Sequence, residues 1–189
     1  MALMVARAVP EKVGPTSSTM AVPHGPAGVG AARRRMRSEL GDRSIPDTVI
    51  DDAVLILSEL LSNSCRYARP LGKLEELGDR TAAGMVDALL TRSVTVSGNG
   101  TRERPGEPGQ DGILVRWWTH ADGLTVEVTD GGASTRPLPA SPSLTARGGR
   151  GLSIVGKLAS AWGVRDAPGE VTVWAALALR PDKRDEPAA

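Results

Sequence analysis

Phenylalanine is absent from this 189-residue chain, tyrosine occurs once and tryptophan four times. The core must therefore be assembled mainly from Ala, Val, Leu and Ile, and few rings remain on which single-stranded bases could stack. Charge of one sign is also lacking: 23 Lys and Arg stand against 22 Asp and Glu, a formal net charge of +1. A dedicated nucleic-acid binder would carry a clear basic excess, so direct contact with nucleic acid is not expected. The single cysteine, Cys65, excludes an internal disulfide framework and a Cys-rich zinc site, and a reducing, cytoplasmic setting fits it. By itself it reads as a small buried hydrophobe. His24 and His120 lie too far apart for a metal-ligand pattern. No stretch reaches the roughly 18 apolar residues that cross a membrane. Met1–Pro10 carries Arg7 inside a short apolar run rather than a secretory core.

What is present suits one domain with tails and loops. Residues 1–16 mix Pro, Gly, Ser and charge without a period and read as a flexible tail, as do residues 181–189. Between them, residues 17–180 carry the patterned elements, with a variable insertion at about 69–112. Thr19–Val22 reads as a short edge strand ended by Pro23. From Gly25 to Leu40, Val29, Ala32, Met36 and Leu40 recur at helical spacing; Arg33, Arg34, Arg35 and Arg37 take the remaining faces, which read as solvated. The strongest helix is expected from Pro46 to Ala68, with Ser44 as cap, Pro46 in the first turn, and Asp47, Asp51 and Asp52 at the positive end of the dipole. Its buried face is Ile50, Val54, Leu57, Leu61 and Cys65.

Leu74–Leu90 has helical character, Val94–Val96 reads as a strand, and the glycine- and proline-rich run up to Asp111 as a flexible loop. The clearest hairpin follows, Ile113–Thr119 and Leu124–Thr129 around Asp122-Gly123. After a polar loop, a helix is expected from Gly151 to Trp162 on the spacing of Leu152, Val155, Leu158, Ala159 and Trp162, and Val171–Leu179 as a last strand. This order predicts an α+β, two-layer sandwich with a mostly antiparallel, mixed sheet and helices on one face.

Three local patterns carry chemistry. Glu59 and Asn63 stand four apart in the strong helix, so a carboxylate and a carboxamide share one face offset from the core stripe. Their oxygens suit Mg²⁺, which takes few protein ligands beside substrate phosphates. Asp130-Gly131-Gly132 ends the second hairpin strand, where an Asp can point into a cavity and glycine lets backbone approach a ligand. Gly148-Gly149-Arg150-Gly151 runs straight into a helix, whose N-terminal N–H groups attract anions, and Arg150 adds a phosphate-binding cation. A P-loop over Gly151–Lys157 fails, because Leu158 stands where Ser or Thr is required and no strand leads in.

Each pattern alone has an ordinary structural explanation; their order is more specific. The chain resembles the GHKL (histidine kinase-like) ATPase superfamily, with its Bergerat-type ATP-binding fold. Within it, the chain is most similar to the actinobacterial anti-sigma regulatory kinases, over about residues 17–180. The resemblance lies in residues 51–68, 126–132 and 149–155. It implies that Asn63 holds Mg²⁺ against the phosphates of ATP and that Glu59 is the general base. It further implies that Asp130 takes the adenine amino group, that Gly132 shapes the adenine pocket, and that Gly149 and Gly151 offer N–H groups from a mobile lid over 137–148. The activity implied is phosphorylation of Ser or Thr on an antagonist (anti-anti-sigma-like) protein, with a sigma factor as second partner and a homodimer as the form common among relatives. A non-catalytic ATP switch acting through lid ordering is the alternative. Two positions depart from the pattern: Ser134 replaces a second glycine, and Arg147 stands where the branch often has an acid.

Overall fold

The computed structural model describes residues 17–43, 45–81, 110–121, 123–133 and 150–179. Strand β1 (Ser17–Pro23) leads into helix α1 (Pro26–Gly41) and helix α2 (Asp47–Tyr67). A short strand β2 (Gly72–Lys73) and a helical segment α3 over 74–81 follow. Strands β3 (Asp111–His120) and β4 (Gly123–Asp130) form the expected hairpin; helix α4 (Arg150–Leu158) and strands β5 (Ala161–Ala167) and β6 (Glu170–Ala178) complete the order. The sheet runs β1-β3-β4-β6-β5, with β2 also paired to β3. Every pairing among the described residues is antiparallel, so the mixed component expected from the sequence is not seen there.

Strand alternation places the core. Val115, Trp117, Val126, Val128, Val173 and Ala175 share one face through the registers Val115↔Val128, Trp117↔Val126, Val128↔Val173 and Val126↔Ala175. That face meets the helices. Trp117, fully buried, supplies the bulk that Phe would otherwise provide. From α1, Ala32, Met36 and Leu40 enter the same core, as predicted; α2 buries a broader face than predicted, adding Ala53, Ile56, Leu60 and Ser64 to its stripe. Cys65 is half-buried at the margin of that face. On the opposite face of the sheet, the buried carboxylate of Glu127 is paired with Arg165, and the Arg116 guanidinium lies 5.0 Å from the ring centre of Trp118.

Two boundaries correct the sequence reading. α2 begins at Asp47 with Pro46 in the cap position and no side-chain cap, so Ser44, which lies outside the described residues, is not its N-cap. Pro46 is extended there, which its ring allows while it ends the preceding turn. The second correction is larger: α4 stops at Leu158, and Trp162 belongs to β5, opposite Ala175. Trp162 kept the helical period because it packs on the same core from a strand. The overlooked signal was Pro168-Gly169, a turn between β5 and β6 where Gly169 has φ 78°, a conformation open to glycine. The expected strand 94–96 and residues 82–109 lie outside the described residues. Among the described residues no helix is long and apolar enough to cross a membrane.

Candidate functional site

Helix α2 supplies groups to both ends of the site. Glu59 and Asn63 stand one turn apart and half-buried, toward α4. Gly151, in the first turn of α4, lies directly against them. A methyl group there would come 2.6 Å from Glu59 Oε2 and 3.0 and 3.3 Å from the two terminal atoms of Asn63. Only glycine lets the helix backbone come so near. The positive end of α4 thus faces a carboxylate, and no acidic residue of its own lies in its first turn.

At the other end, Asp130 closes β4 and is 5% exposed. Its Oδ1 accepts a hydrogen bond from the Gly132 N–H at 2.8 Å, made possible by φ 74° at Gly132, whose Cα faces Val171. Burial pushes the Asp130 carboxyl above the ordinary aspartate range; the Gly132 N–H, the Ser64 hydroxyl and His24 pull in the other direction. Ser64 lies near enough to act on the carboxylate, yet its buried Oγ makes no well-formed hydrogen bond. A buried hydroxyl beside a buried carboxylate, with hydrogen-bonding capacity left over, suits a polar ligand edge. His24, in the turn after β1, sends Nε2 to within 3.3 Å of the Ser64 carbonyl. Burial likewise raises the Cys65 thiol, opposed by the Gly25 backbone.

The structure therefore brings Glu59, Asn63 and Gly151 together, and sets Asp130 and Gly132 beside the next residue of α2, Ser64. Gly149, Ser134, Arg147 and residues 137–148 lie outside the described residues, as does the side chain of Arg150. Sequence reasoning missed Ser64, His24 and the stretch Arg69–Pro70. Ser64 was legible in principle, since it continues the buried series Leu57, Leu60, Leu61 at helical spacing. The other two come from chain segments that only the fold brings near. Among the described residues no group of three or more His, Cys, Asp or Glu is placed to hold a metal ion.

Residues 89–177 match the family model described as the histidine kinase-like ATPase domain. That span holds Asp130, Gly132 and Gly151, but not Glu59 and Asn63, which α2 sets against Gly151. The matched stretch is thus similar to a histidine kinase-like ATPase domain, a class that implies ATP binding, and the fold agrees with it. A solved structure with this fold contains the RsbU and RsbW domains of Rv1364c from Mycobacterium tuberculosis, at a TM-score of 0.50 and 15% sequence identity. The alignment covers 85% of the present chain and 32% of that one, so this chain spans about a third of it. No curated protein matches the sequence.

Proposed function

We propose that this domain binds ATP with Mg²⁺ and works as an anti-sigma-type regulator that phosphorylates Ser or Thr on an antagonist protein. One observation carries the reading: α2 presents Glu59 and Asn63 to the glycine start of α4, while its next residue, Ser64, lies beside the buried Asp130. The residues present suit the nucleotide. Asp130 would accept the adenine amino hydrogens, with the unpartnered Ser64 hydroxyl beside it. Gly132 would leave room for the ring, and N–H groups of Gly149 and Gly151 at the helix start would meet the phosphates, with Arg150 beside them. Asn63 would hold Mg²⁺ through its carboxamide oxygen, the phosphates and water completing the shell. When bound, ATP supplies the phosphoryl group, and transfer needs mainly alignment and charge stabilisation. Glu59 would take the proton of the attacking hydroxyl; a carboxylate is a weak base toward a hydroxyl, so position does most of the work.

The relation to an RsbW-containing protein supports the regulatory setting. A sigma factor as second partner, a homodimer, a cytoplasmic location and 17–180 as the ATP-binding unit belong to the same proposal. The close seat of Gly151 on Glu59 and Asn63 also favours a second reading, an ATP switch without transfer. Phosphates entering between them would move α4, and a protein partner can read that movement.

Calorimetric titration of ATP with and without Mg²⁺, on the wild type and Asn63→Ala, tests the core of the reading. We expect Mg²⁺ to strengthen binding in the wild type and to have no effect in the variant. A variant with the same metal dependence as the wild type would remove Asn63 from the metal site.

A further inference from the structure

Beyond the groups that would touch nucleotide, one segment is built around the turn that holds Asp130. Arg69 and Pro70 run antiparallel to Gly131 and Gly132: Arg69 N–H donates to the Gly132 carbonyl at 2.9 Å, and Gly131 N–H donates to the Arg69 carbonyl at 2.9 Å. The Arg69 guanidinium adds a third bond, from Nη2 to the Gly131 carbonyl at 3.1 Å. Pro70 closes the space completely, for a methyl group at Gly131 would lie 2.4 Å from the Pro70 carbonyl oxygen.

The segment is itself anchored. Leu71 N–H bonds the Gly112 carbonyl at 2.9 Å, and β2 pairs with Gly112 and Asp111. Lys73 is ion-paired with Asp111 at 2.8 Å, and Leu77 of α3 is buried. At its far end, Arg80 Nη2 is 2.9 Å from Glu170 Oε1. Glu170 precedes Val171, the residue opposite Asp130 in the register and in contact with the Gly132 Cα side. Arg69 and Pro70 thus hold the Asp130–Gly132 turn directly, and Arg80 ties the far end of the same segment to the strand beside it.

We propose that the Arg69–Pro70 strap positions Asp130 for base discrimination, so that the site accepts a 6-amino purine and rejects a 6-oxo purine. This rests on the ATP reading and deepens it. A carboxylate rewards an amino group and repels a carbonyl in the same place, but only while its depth is fixed. The Asp130 side chain is fixed through Gly132 N–H, and Gly132 is fixed by Arg69. A buried polar site discriminates through what it leaves unpaired, and that requires a turn that does not follow the wrong base. The strap is a positioning element: no atom of it need touch the nucleotide.

The test is titration of wild type, Gly131→Ala, Pro70→Gly and Arg69→Ala with ATP and with GTP, each checked by its melting temperature. Gly131→Ala should displace the strap or the turn by on the order of 1 Å, weakening ATP about 10–100-fold while GTP changes less, so the preference narrows. Arg69→Ala removes one exposed bond and should weaken ATP only about 2–5-fold. In a Pro70→Gly background, where the strap yields more easily, Gly131→Ala should cost less than in the wild type. A folded Gly131→Ala protein with unchanged ATP-to-GTP preference overturns the proposal, as does equal loss of both nucleotides. If Gly131→Ala does not fold, Pro70→Gly and Arg69→Ala decide, and an unchanged preference in both has the same force. A wild type that binds neither nucleotide removes the ATP reading and this proposal with it. A wild type that prefers ATP beside variants that keep the preference removes this proposal alone.

Discussion

The two ends of the site are built in different ways. At the end proposed for the base, Asp130 is held by its own turn, by a β-register with Val171 and by the Arg69–Pro70 strap, through backbone hydrogen bonds near 2.9 Å. At the end proposed for the phosphates, Glu59 and Asn63 meet α4 at a glycine, where close approach replaces a hydrogen-bonded ladder. The first arrangement is fixed before any ligand arrives; the second depends on where one short helix of nine residues sits. On the proposed reading, a fixed base pocket beside an adjustable phosphate pocket suits a nucleotide-dependent regulator, because recognition stays constant while the response moves.

The comparison can be broken hardest at the adjustable end. If Glu59 is the base, Glu59→Ala should slow phosphoryl transfer about 10²–10⁴-fold while leaving ATP affinity nearly unchanged. Rapid-quench measurement of transfer, beside a calorimetric titration, separates the two quantities. Full activity in the variant would remove Glu59 from the transfer step, whereas a wild type that binds ATP without any transfer would leave the switch reading standing.

Next in size is damage to the helix that both ends share. Leu57 is fully buried on the core side of α2, between the turns that present Ala53 and Leu61. Leu57→Ala should cost about 2–5 kcal/mol of stability, from lost burial and the cavity left behind. Denaturant unfolding checks this. At temperatures where the variant remains folded, its ATP affinity should stay near that of the wild type, since no site group is removed. A variant of full stability would mean that α2 is not the shared support described above.

Legibility in the sequence followed the same division. α1, α2 and the β3–β4 hairpin were read correctly because strong periodicities, 3.6 on the helices and 2 on the strands, were reinforced by Gly, Pro and Asp-Gly boundaries. Glu59 and Asn63 were paired by a spacing of four, which the helix fixes without tertiary knowledge. β5 was lost because Ala159 and Trp162 pack on the core from outside α4 and so prolong its apparent period. His24 and Arg69 escaped notice for a different reason. One lies 40 residues from Ser64 and the other 62 from Gly131, and only folding makes them neighbours.

The smallest effect expected, and the one that sharpens the comparison most, concerns the charge at Asp130. Its carboxyl titrates above the ordinary aspartate range because burial disfavours the ion, against the pull of Gly132 N–H, Ser64 and His24. In the pH window between the unfolded value and the raised folded one, the folded chain therefore holds more protons than the unfolded chain. Unfolding free energy then falls as pH rises through that window: the penalty is absent below it and complete above it. If Asp130 takes the adenine amino group as proposed, ATP affinity should move the other way, since that contact needs the ionised carboxylate, and should decline as pH falls through the folded value. Asp130→Asn removes both dependences. It should weaken ATP by about 1–3 kcal/mol at neutral pH, yet raise the melting temperature of the nucleotide-free protein there, with the gain vanishing in acid. Melting curves and ATP titrations across pH check the two signs together. A stability gain that persists unchanged in acid, or an affinity untouched by the substitution, would mean that the buried charge is not what the base end is built to hold.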